Sequence, residues 1–556
     1  MSDGRTGWLL RPVSGAGGIF ALLALAAALT PGLIPRTWIT QGALSGCAAA
    51  SGYAVGAFLG WLWRFLELPD PERVWLRLAR VAALAGGVTL VGYAMWFARA
   101  WQDDVRQRMG MALTGRSDAL EAALLAVLVF LLLLALGRLF QLVLRHVARR
   151  FSRVVPPKIA ALLGSVCAVL LFWSVFNGVL LRFALHAADS SYAAVDALIP
   201  AESAPPDDPL VPGSRASLVR WEDLGAAGRR FVAGAPSPEV LSRFAPGPAV
   251  RPLRVYVGQR AAETPRERAA LALAEMKRVG AFDRKVLVII TPTGTGWVDP
   301  GGIDTLEFLH GGDVASVAAQ YSYLASWLSL LVEPGYGADM ARALFLEVYG
   351  YWTTLPKATR PKLYLHGLSL GAMNGERSAE LFEVIGDPYQ GAMFAGPPFP
   401  SRVWRTITDN RNPGSPEWLP RFRDGAHVRF TAQRNALEDQ GAPWGPMRTV
   451  YLQYASDPVT FFSFSSFYRE PDWMKPPRGP DVSPLLRWTP GVTFLQLALD
   501  MAMATTTPAG YGHVYAAGDY LDAWLAVSAP EGWTPERIAR LKQYFASSDE
   551  QPGVSP

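Results

Sequence analysis

Charge is scarce in this chain of 556 residues. Charged residues make up 18% of it, whereas a soluble globular protein carries about 25%. Half of the residues are hydrophobic and 11% are aromatic, a composition that argues against intrinsic disorder. The deficit is concentrated in the first third of the sequence, where long uncharged stretches alternate with short arginine-containing segments. This pattern is typical of a membrane region.

Cysteine is nearly absent, with Cys47 and Cys167 as the only two, and both lie in apolar stretches. This argues against a disulfide framework and against a zinc site, and we predict neither a metal nor a cofactor. The net charge of +5 comes from short, scattered basic clusters without interleaved aromatic residues. Because a nucleic-acid surface combines both features in one patch, we predict no nucleic-acid partner.

Five uncharged stretches near the N-terminus are candidates for transmembrane helices, each of which needs about 20 apolar residues. The alternatives are a cleaved signal peptide for the first stretch and a buried core helix for the third. Further spans would follow a signal peptide, so the region is polytopic in either case. The sequence predicts a transmembrane domain over residues 1–186, with helices near 14–35, 41–63, 80–98, 120–142 and 159–181.

The distribution of arginine predicts the orientation of these helices, because cytoplasmic loops carry an excess of Arg and Lys. With a cytoplasmic N-terminus, the stretch from Arg145 to Lys158 lies inside and is the strongest argument for this orientation. An odd number of spans then delivers the C-terminal region to the other side. We expect a multi-pass protein of the cell membrane with an extracytoplasmic C-terminal domain, and the lipid bilayer as its first partner.

A polar, proline-rich segment separates the membrane region from the rest of the chain and is interpreted as a linker over residues 187–229. Beyond it, short β-branched runs alternate with amphipathic stretches, which is typical of an α/β domain with a mostly parallel sheet. We predict this domain over 230–548, followed by a tail at 549–556. Strand candidates are 253–257, 285–290, 314–321, 362–366, 392–395, 428–432 and 449–454, and helix candidates include 264–279 and 373–385.

The motif G-x-S-x-G follows one strand candidate and precedes a helical pattern. In this context it indicates a nucleophile elbow, a sharp turn from strand into helix. Gly367 and Gly371 are expected there because side chains would collide across the turn. The hydroxyl of Ser369 would project at the N-terminus of the helix, whose dipole favours developing negative charge. The alternative is a chance Gly-Ser turn.

A serine nucleophile needs a histidine base. The chain order typical of enzymes with such an elbow is serine, then an acid, then histidine, and only His427 and His513 follow Ser369. We favour His513, because it lies in a glycine-flanked loop before a helix. His427 begins a strand pattern of its own and leaves little room for the acid.

The acid is expected at the end of a strand between the serine and the histidine. Asp457 fits this position, because it follows an apolar strand directly and precedes a proline that stops the strand. Its role would be to fix the tautomer of the histidine. The competitors are Asp472, Asp481 and Asp500, of which the last lies in an apolar helical stretch where an ion pair is an alternative.

An oxyanion hole requires two backbone N–H groups. One is expected from Leu370, the residue after the nucleophile, and the other from the glycine-rich loop that follows an early strand. Within that loop we nominate Thr293, with Gly294 as a close competitor. The alternative is an ordinary turn, and no G-K-[ST] sequence follows that would indicate a phosphate loop.

These segments resemble a bacterial family of membrane-anchored α/β-hydrolases, in which a multi-span N-terminal region precedes a hydrolase domain. The resemblance implies the α/β-hydrolase fold and a serine hydrolase, with Ser369, Asp457 and His513 at the positions that match its motifs. One departure is Leu368, where the family pattern suggests a polar residue such as glutamate. The matching segments are 291–300, 312–313, 320–323, 360–364, 367–371, 396–398, 456–458 and 512–515.

The sequence therefore predicts a membrane-bound serine hydrolase that acts on an ester through an acyl-serine intermediate. The substrate is expected to be a small-molecule or lipid ester, and a lipid ester is favoured because the membrane concentrates lipids. The alternatives are an acyltransferase of lipid or glycan with the same three residues, a peptidase, or a non-catalytic membrane assembly or transport factor. The last has little support, because the predicted spans carry no central charge.

Overall fold

The structure is a computed structural model, in which residues 14–69, 73–115, 118–153, 155–174, 204–323 and 335–549 are described. The chain divides into two units. The helical unit contains the N-terminal helices together with Ser463–Met474 and Pro480–Met503, two segments that we call the insertion. The sheet unit contains the remaining residues after the N-terminal helices. The division predicted from the sequence did not anticipate that a late segment belongs with the N-terminal helices.

The helical unit begins with the predicted succession of apolar helices. Three of them are long and apolar enough to cross a membrane, namely α2, most of α3, and α4. The described parts of α1 and α5 are shorter, with 14 and 17 residues, and the predicted fifth span continues beyond residue 174, outside the described residues. The bounds are α1 Gly15–Ala28, α2 Trp38–Phe65, α3 Arg73–Arg108, α4 Ala119–Phe151 and α5 Pro157–Trp173.

Small residues allow α2 to pack closely against its neighbours. A side chain at Gly52 would collide with the backbone of α1 at Phe20, and one at Gly46 would lie 2.7 Å from the carbonyl oxygen of Ala126 in α4. Close backbone approach at small residues is typical of helix pairs in membranes. The outward faces are apolar, with Trp96 and Leu132 largely exposed, which suits a lipid environment better than water.

The sheet unit is built around a seven-stranded, all-parallel sheet in the order β1-β3-β2-β4-β5-β7-β6. The central strands are apolar along their whole length and buried on both faces, as a parallel sheet covered by helices requires. All seven predicted strands are confirmed. They are β1 Leu253–Val257, β2 Val286–Thr291, β3 Val314–Ala319, β4 Lys362–Leu368, β5 Gly391–Ala395, β6 Val428–Thr431 and β7 Arg448–Leu452.

Helices connect the strands and cover the sheet. In chain order they are α6 Gly225–Ala233, α7 Pro238–Leu241, α8 Pro265–Arg278, α9 Pro300–Leu309, α10 Tyr336–Thr354, α11 Leu370–Gly375, α12 Leu381–Val384, α13 Arg402–Asp409 and α14 Pro458–Phe461, then α15 Val492–Ala502 in the insertion, and α16 Ala517–Ser528 and α17 Pro535–Asp549.

The helix predicted over 373–385 is wrong as a single element, because it is divided between α11 and α12. The side-chain hydroxyl of Ser378 donates to the carbonyl oxygen of Gly375, which competes with continued helical hydrogen bonding. Glu380 then begins α12 with a capping box of its own. The helix after the serine is therefore only six residues long.

The parallel sheet collects the chemically important loops at one edge. The strands β2, β4, β5 and β7 all end on the same side, because neighbouring parallel strands share their direction. The residues that follow them are Pro292, Ser369, Gly396 and the turn that leads to Asp457. In open α/β sheets, the crevice beyond the carboxyl ends of the strands is where ligands bind.

Candidate active site

Ser369 occupies a strained turn between β4 and α11. Its φ of 57° and ψ of −125° lie in a region that non-glycine residues rarely adopt. The backbone N–H of Ser369 donates to the carbonyl oxygen of Ala395 at the end of β5, at 2.9 Å, which holds the turn against the sheet. The serine therefore has the geometry predicted for a nucleophile elbow, in which strain is part of the site.

The two glycines of the motif are required by close backbone approach. A side chain at Gly371 would collide with the carbonyl oxygen of Thr291 at the end of β2. One at Gly367 would collide with the backbone of Gly371 across the turn. The spacing G-x-S-x-G thus follows from how tightly α11 begins against the sheet.

His513 forms a pair with the buried Asp457 in the sheet unit. The Nδ1 atom of His513 lies 2.7 Å from Oδ2 of Asp457, whose side chain is fully buried. The other carboxylate oxygen accepts hydrogen bonds from the backbone N–H groups of Val459 and Thr460, because Asp457 is the N-cap of α14. The carboxylate is thereby held in one orientation, with one oxygen directed at the imidazole.

Tyr515 completes the surroundings of this carboxylate and was not predicted from the sequence. Its hydroxyl donates to Oδ2 of Asp457 at 2.7 Å. Burial and the neighbouring carboxylate raise the pKa of Tyr515 well above its usual range, so that it remains a donor. Tyr515 lies two residues after His513, in a segment that resembles the family, but the sequence pattern alone did not assign it this contact.

Two other histidines of the sheet unit, His427 and His366, lie in different surroundings. His427 is exposed at the beginning of β6, with its Nδ1 atom 3.3 Å from the carbonyl oxygen of Met447. His366 is buried in β4 against the carbonyl oxygen of Met393, and burial lowers its pKa to about 4. Neither contacts a carboxylate in the described residues as His513 does.

The competing acids all lie in the insertion, which belongs to the helical unit. Asp472 and Asp481 are within its two segments. Asp500 forms a buried ion pair with Arg36, with 3.5 Å between Oδ1 and Nε. Of the four candidate acids, Asp457 alone belongs to the sheet unit and contacts His513.

One of the two predicted oxyanion donors is in a suitable position. Leu370 is the first residue of α11, where a backbone N–H has no acceptor within the helix. The prediction of Thr293 is not supported, because its N–H already donates to the carbonyl oxygen of Trp297 at 2.9 Å. The glycine-rich loop closes into a local turn that uses this amide, which the sequence pattern did not reveal.

This turn is held by side chains from the two neighbouring strands. The hydroxyl of Tyr256 in β1 donates to the carbonyl oxygen of Gly296 at 2.7 Å. The amide of Gln320, directly after β3, donates to the carbonyl oxygen of Thr295 at 3.2 Å. Gln320 is thus a support for the turn beside the elbow.

Comparison with known proteins agrees with this fold. Residues 253–541 match the model of a family described as an alpha/beta-hydrolase family, and this match covers more than half of the chain. The chain belongs to this alpha/beta-hydrolase family. Residues 29–236 match the model of the N-terminal region of the same family, so that the helices α2 to α5 are part of the family pattern. No curated protein and no solved structure matches the hydrolase.

Glu376 fixes the far end of the elbow helix in the hydrolase. Its carboxylate accepts hydrogen bonds from the backbone N–H groups of Val403 and Trp404 and from the hydroxyl of Tyr451. Burial raises the pKa of Glu376 to about 7, although these donors oppose the shift. The contacts tie α11 to α13 and β7, and thereby restrict movement of the serine at the other end of the helix.

In the described residues, no group of three or more His, Cys, Asp or Glu side chains is arranged to hold a metal ion.

Gly396 brings the serine and the histidine of the hydrolase to the same strand end. It follows Ala395, which accepts the N–H of Ser369, and a β-carbon at Gly396 would lie 2.8 Å from Cε1 of His513. The hydroxyl of Tyr515 would be equally close. The Nε2 atom of His513 is buried without a hydrogen-bond partner among the described residues.

Replacing Gly396 by alanine should displace His513 and lower kcat about 100-fold, the typical cost of a misplacement of about 1 Å. The φ of 50° at this residue adds strain for any side chain. The measurement is the rate of ester hydrolysis. The matched control is Gly414→Ala, which also has a positive φ, of 85°, but open space around the added carbon. Equal rates for the two variants would contradict the assignment.

Proposed function

We propose that this alpha/beta-hydrolase is a membrane-bound serine hydrolase that cleaves esters through an acyl intermediate on Ser369, at the extracytoplasmic face of the membrane. The observation that carries the proposal is the strained Ser369 at the start of a helix, combined with the pair of His513 and the buried Asp457. A strained serine and an imidazole oriented by a carboxylate, both at one edge of the sheet, are the parts of a serine nucleophile with its general base.

The proposed reaction is acyl transfer. The hydroxyl of Ser369 attacks the ester carbonyl while Nε2 of His513 takes its proton, and the N–H of Leu370 donates to the developing oxyanion. The imidazolium then protonates the leaving alcohol, which departs as the acyl-serine forms. Water attacks the acyl-serine in the same way and releases the acid. Asp457 keeps the proton on Nδ1, so that Nε2 is free to act as the base.

A lipid ester is the proposed substrate class. The support is the presence of three helices that are long and apolar enough to cross a membrane, which keeps the enzyme among lipid esters at high local concentration. The proposed orientation, with a cytoplasmic N-terminus, is supported by the basic stretch from Arg145 to Lys158.

Labelling with a membrane-impermeant fluorophosphonate tests both the activated serine and the proposed orientation in the membrane. Intact cells that express the wild type should be labelled, because the probe phosphonylates an activated serine on the outer face. Labelling should be lost in Ser369→Ala and reduced at least about 100-fold in rate in His513→Ala, since general-base catalysis contributes about 10²–10⁴-fold. The control His427→Ala should be labelled like the wild type, because that side chain lies exposed at the beginning of β6.

Two results would overturn parts of this proposal. Labelling only after cell lysis would place the site on the cytoplasmic side and reverse the orientation. Folded wild-type protein that reacts with no fluorophosphonate, before or after lysis, would contradict an activated serine and favour a non-catalytic membrane factor.

A further inference from the structure

The insertion contains a short apolar helix that packs among the membrane helices. The helix α15 has 11 residues, which is too few to span a bilayer and is a length shared by buried core helices and by re-entrant or interfacial segments. Val492 at its N-terminus shares one buried apolar cluster with Ala28 of α1 and with Leu44 and Ala48 of α2. These residues all belong to the helical unit.

The residues of α2 that contact α15 indicate how deep α15 lies in the membrane. Trp38 and Trp61 are exposed near opposite ends of α2, about 35 Å apart along the helix, a separation close to the thickness of the hydrocarbon core. Exposed tryptophans are typical of the two membrane interfaces. Leu44 and Ala48 are about 9 and 15 Å along α2 from Trp38. The N-terminus of α15, which packs against Leu44 and Ala48, therefore lies well inside the apolar layer between the two tryptophans.

The other end of α15 is fixed at the connection between α1 and α2. Asp500 pairs with Arg36, and its second oxygen accepts the backbone N–H of Leu33 at 2.8 Å. One turn earlier, the amide of Gln496 donates to the carbonyl oxygen of Thr30 at 3.2 Å. The helix thus runs from the connecting loop at its C-terminus towards the membrane interior at its N-terminus.

An aromatic turn lies at the inner end of this helix. The backbone N–H of Gly491 donates to the carbonyl oxygen of Phe467, which joins the turn Phe464–Phe467 to the start of α15. Phe494 of α15 packs against both phenylalanines, with ring centroids 6.3 and 6.0 Å away. Even so, Phe464, Phe467 and Tyr468 have relative exposures of 65%, 57% and 72%. We call these three residues the aromatic tip.

The backbone of the turn meets the conditions of an apolar environment. The N–H groups of Ser466, Tyr468 and Arg469 donate to carbonyl oxygens of Ser463 and Ser465 within the turn. Non-helical backbone is tolerated at membrane depth where protein shields its polar groups, and these bonds give three N–H groups of the turn a partner within the protein. Arg469, which follows the tip, is exposed, and its long side chain can extend to lipid phosphates. These features favour a position within one leaflet.

We propose that the insertion is a re-entrant membrane segment, which places the aromatic tip among the acyl chains of the leaflet on the side of the α1–α2 connection. Three large aromatic side chains exposed beside apolar membrane helices are thereby covered by lipid. In the sequence, the insertion lies between Asp457 and His513, so the chain enters the lipid between the acid and the base. Resting on the proposed function, the inference extends to the substrate, which is a lipid ester drawn from this leaflet.

Fluorescence quenching measures the position of the tip without any assay of activity. The full-length protein in a Cys47→Ala, Cys167→Ala background carries Phe467→Cys labelled with an environment-sensitive nitrobenzoxadiazole dye. It is reconstituted in vesicles of phosphatidylcholine and phosphatidylglycerol with spin-labelled acyl chains. We expect blue-shifted emission and strong quenching, as for the positive control Leu132→Cys in the middle of α4. The negative control is Thr359→Cys, an exposed residue of the sheet unit.

Emission and quenching of labelled Phe467→Cys equal to those of Thr359→Cys would overturn the proposal. Because the measurement needs no turnover, it decides the membrane position even where the proposed hydrolase activity fails.

The part that concerns the substrate has its own test in the same vesicles. The triple variant Phe464→Ser, Phe467→Ser, Tyr468→Ser should raise KM for a vesicle-borne lipid ester about tenfold or more, because it loses apolar burial in the leaflet. Its kcat/KM for a water-soluble p-nitrophenyl ester should equal that of the wild type. An unchanged KM for the lipid ester, or an equal loss on both esters, would contradict capture from the leaflet.

Discussion

Replacing Asp457 by asparagine should lower kcat for ester hydrolysis about 10⁴-fold while leaving the protein folded. The asparagine oxygen can still accept the N–H groups of Val459 and Thr460, which cap α14. Its NH₂ group would then face His513 and force the proton from Nδ1 to Nε2. An imidazole with a proton on Nε2 cannot take one from Ser369.

Measurement of kcat with a soluble ester, together with circular dichroism for folding, tests this expectation. The matched comparison is Tyr515→Phe, which removes a hydrogen bond to the same carboxylate oxygen but leaves the histidine tautomer unchanged. Loss of one such bond to a charged group corresponds to about a tenfold decrease in kcat. An Asp457→Asn variant that keeps more than about a tenth of wild-type kcat would refute the role of this acid.

Replacing Arg36 by glutamine should destabilise the packing of α15 by about 3–5 kcal/mol, because it leaves the carboxylate of Asp500 buried without a counter-ion. Both side chains of the pair are fully buried. The guanidinium also donates to the carbonyl oxygens of Ala28 and Thr30, so these groups lose a partner as well. Hydrogen exchange of the α15 amides should accelerate about 100-fold or more, since each 1.4 kcal/mol corresponds to a factor of ten.

The double variant Arg36→Gln, Asp500→Asn separates the charge from the packing. It removes the unpaired carboxylate, while the asparagine oxygen can still accept the N–H of Leu33. We therefore expect it to recover at least half of the lost protection in α15. Hydrogen exchange of β4 in the sheet unit serves as the internal reference. A single variant with wild-type exchange in α15, or a double variant more labile than the single one, would contradict the importance of this ion pair.

Much of the sheet unit was predictable from the sequence, because its signals are local. A strand such as β2 is a short apolar run buried on both faces, and the alternation of such runs with helical stretches indicates a parallel sheet. The elbow was predictable because the strand, the G-x-S-x-G motif and the helical pattern follow one another directly in the sequence. Only the contact that requires Gly371, with the carbonyl oxygen of Thr291, lies far away along the chain. Asp457 and His513 were identified through their order along the chain and their places at loop ends.

The remaining features depend on contacts between residues that are distant in the sequence. Thr293 appeared suitable as an oxyanion donor until the closure of its own turn showed that its N–H is already engaged with Trp297. Gly396 and Tyr515 lie in segments that resemble the family, but no role was predicted for them from the sequence, because their importance lies in what they touch around His513.

The sequence by itself determined the apolar helices, the parallel sheet and the identity of the candidate nucleophile, since each depends on residue type and spacing over a short stretch. Only the tertiary structure decided that the insertion belongs to the helical unit. An aspartate in an apolar helix has no evident partner in the sequence, and the arginine that neutralises Asp500 is more than four hundred residues earlier. Burial of a charge requires a counter-ion in space, and hydropathy patterns carry no information about where along the chain that counter-ion lies.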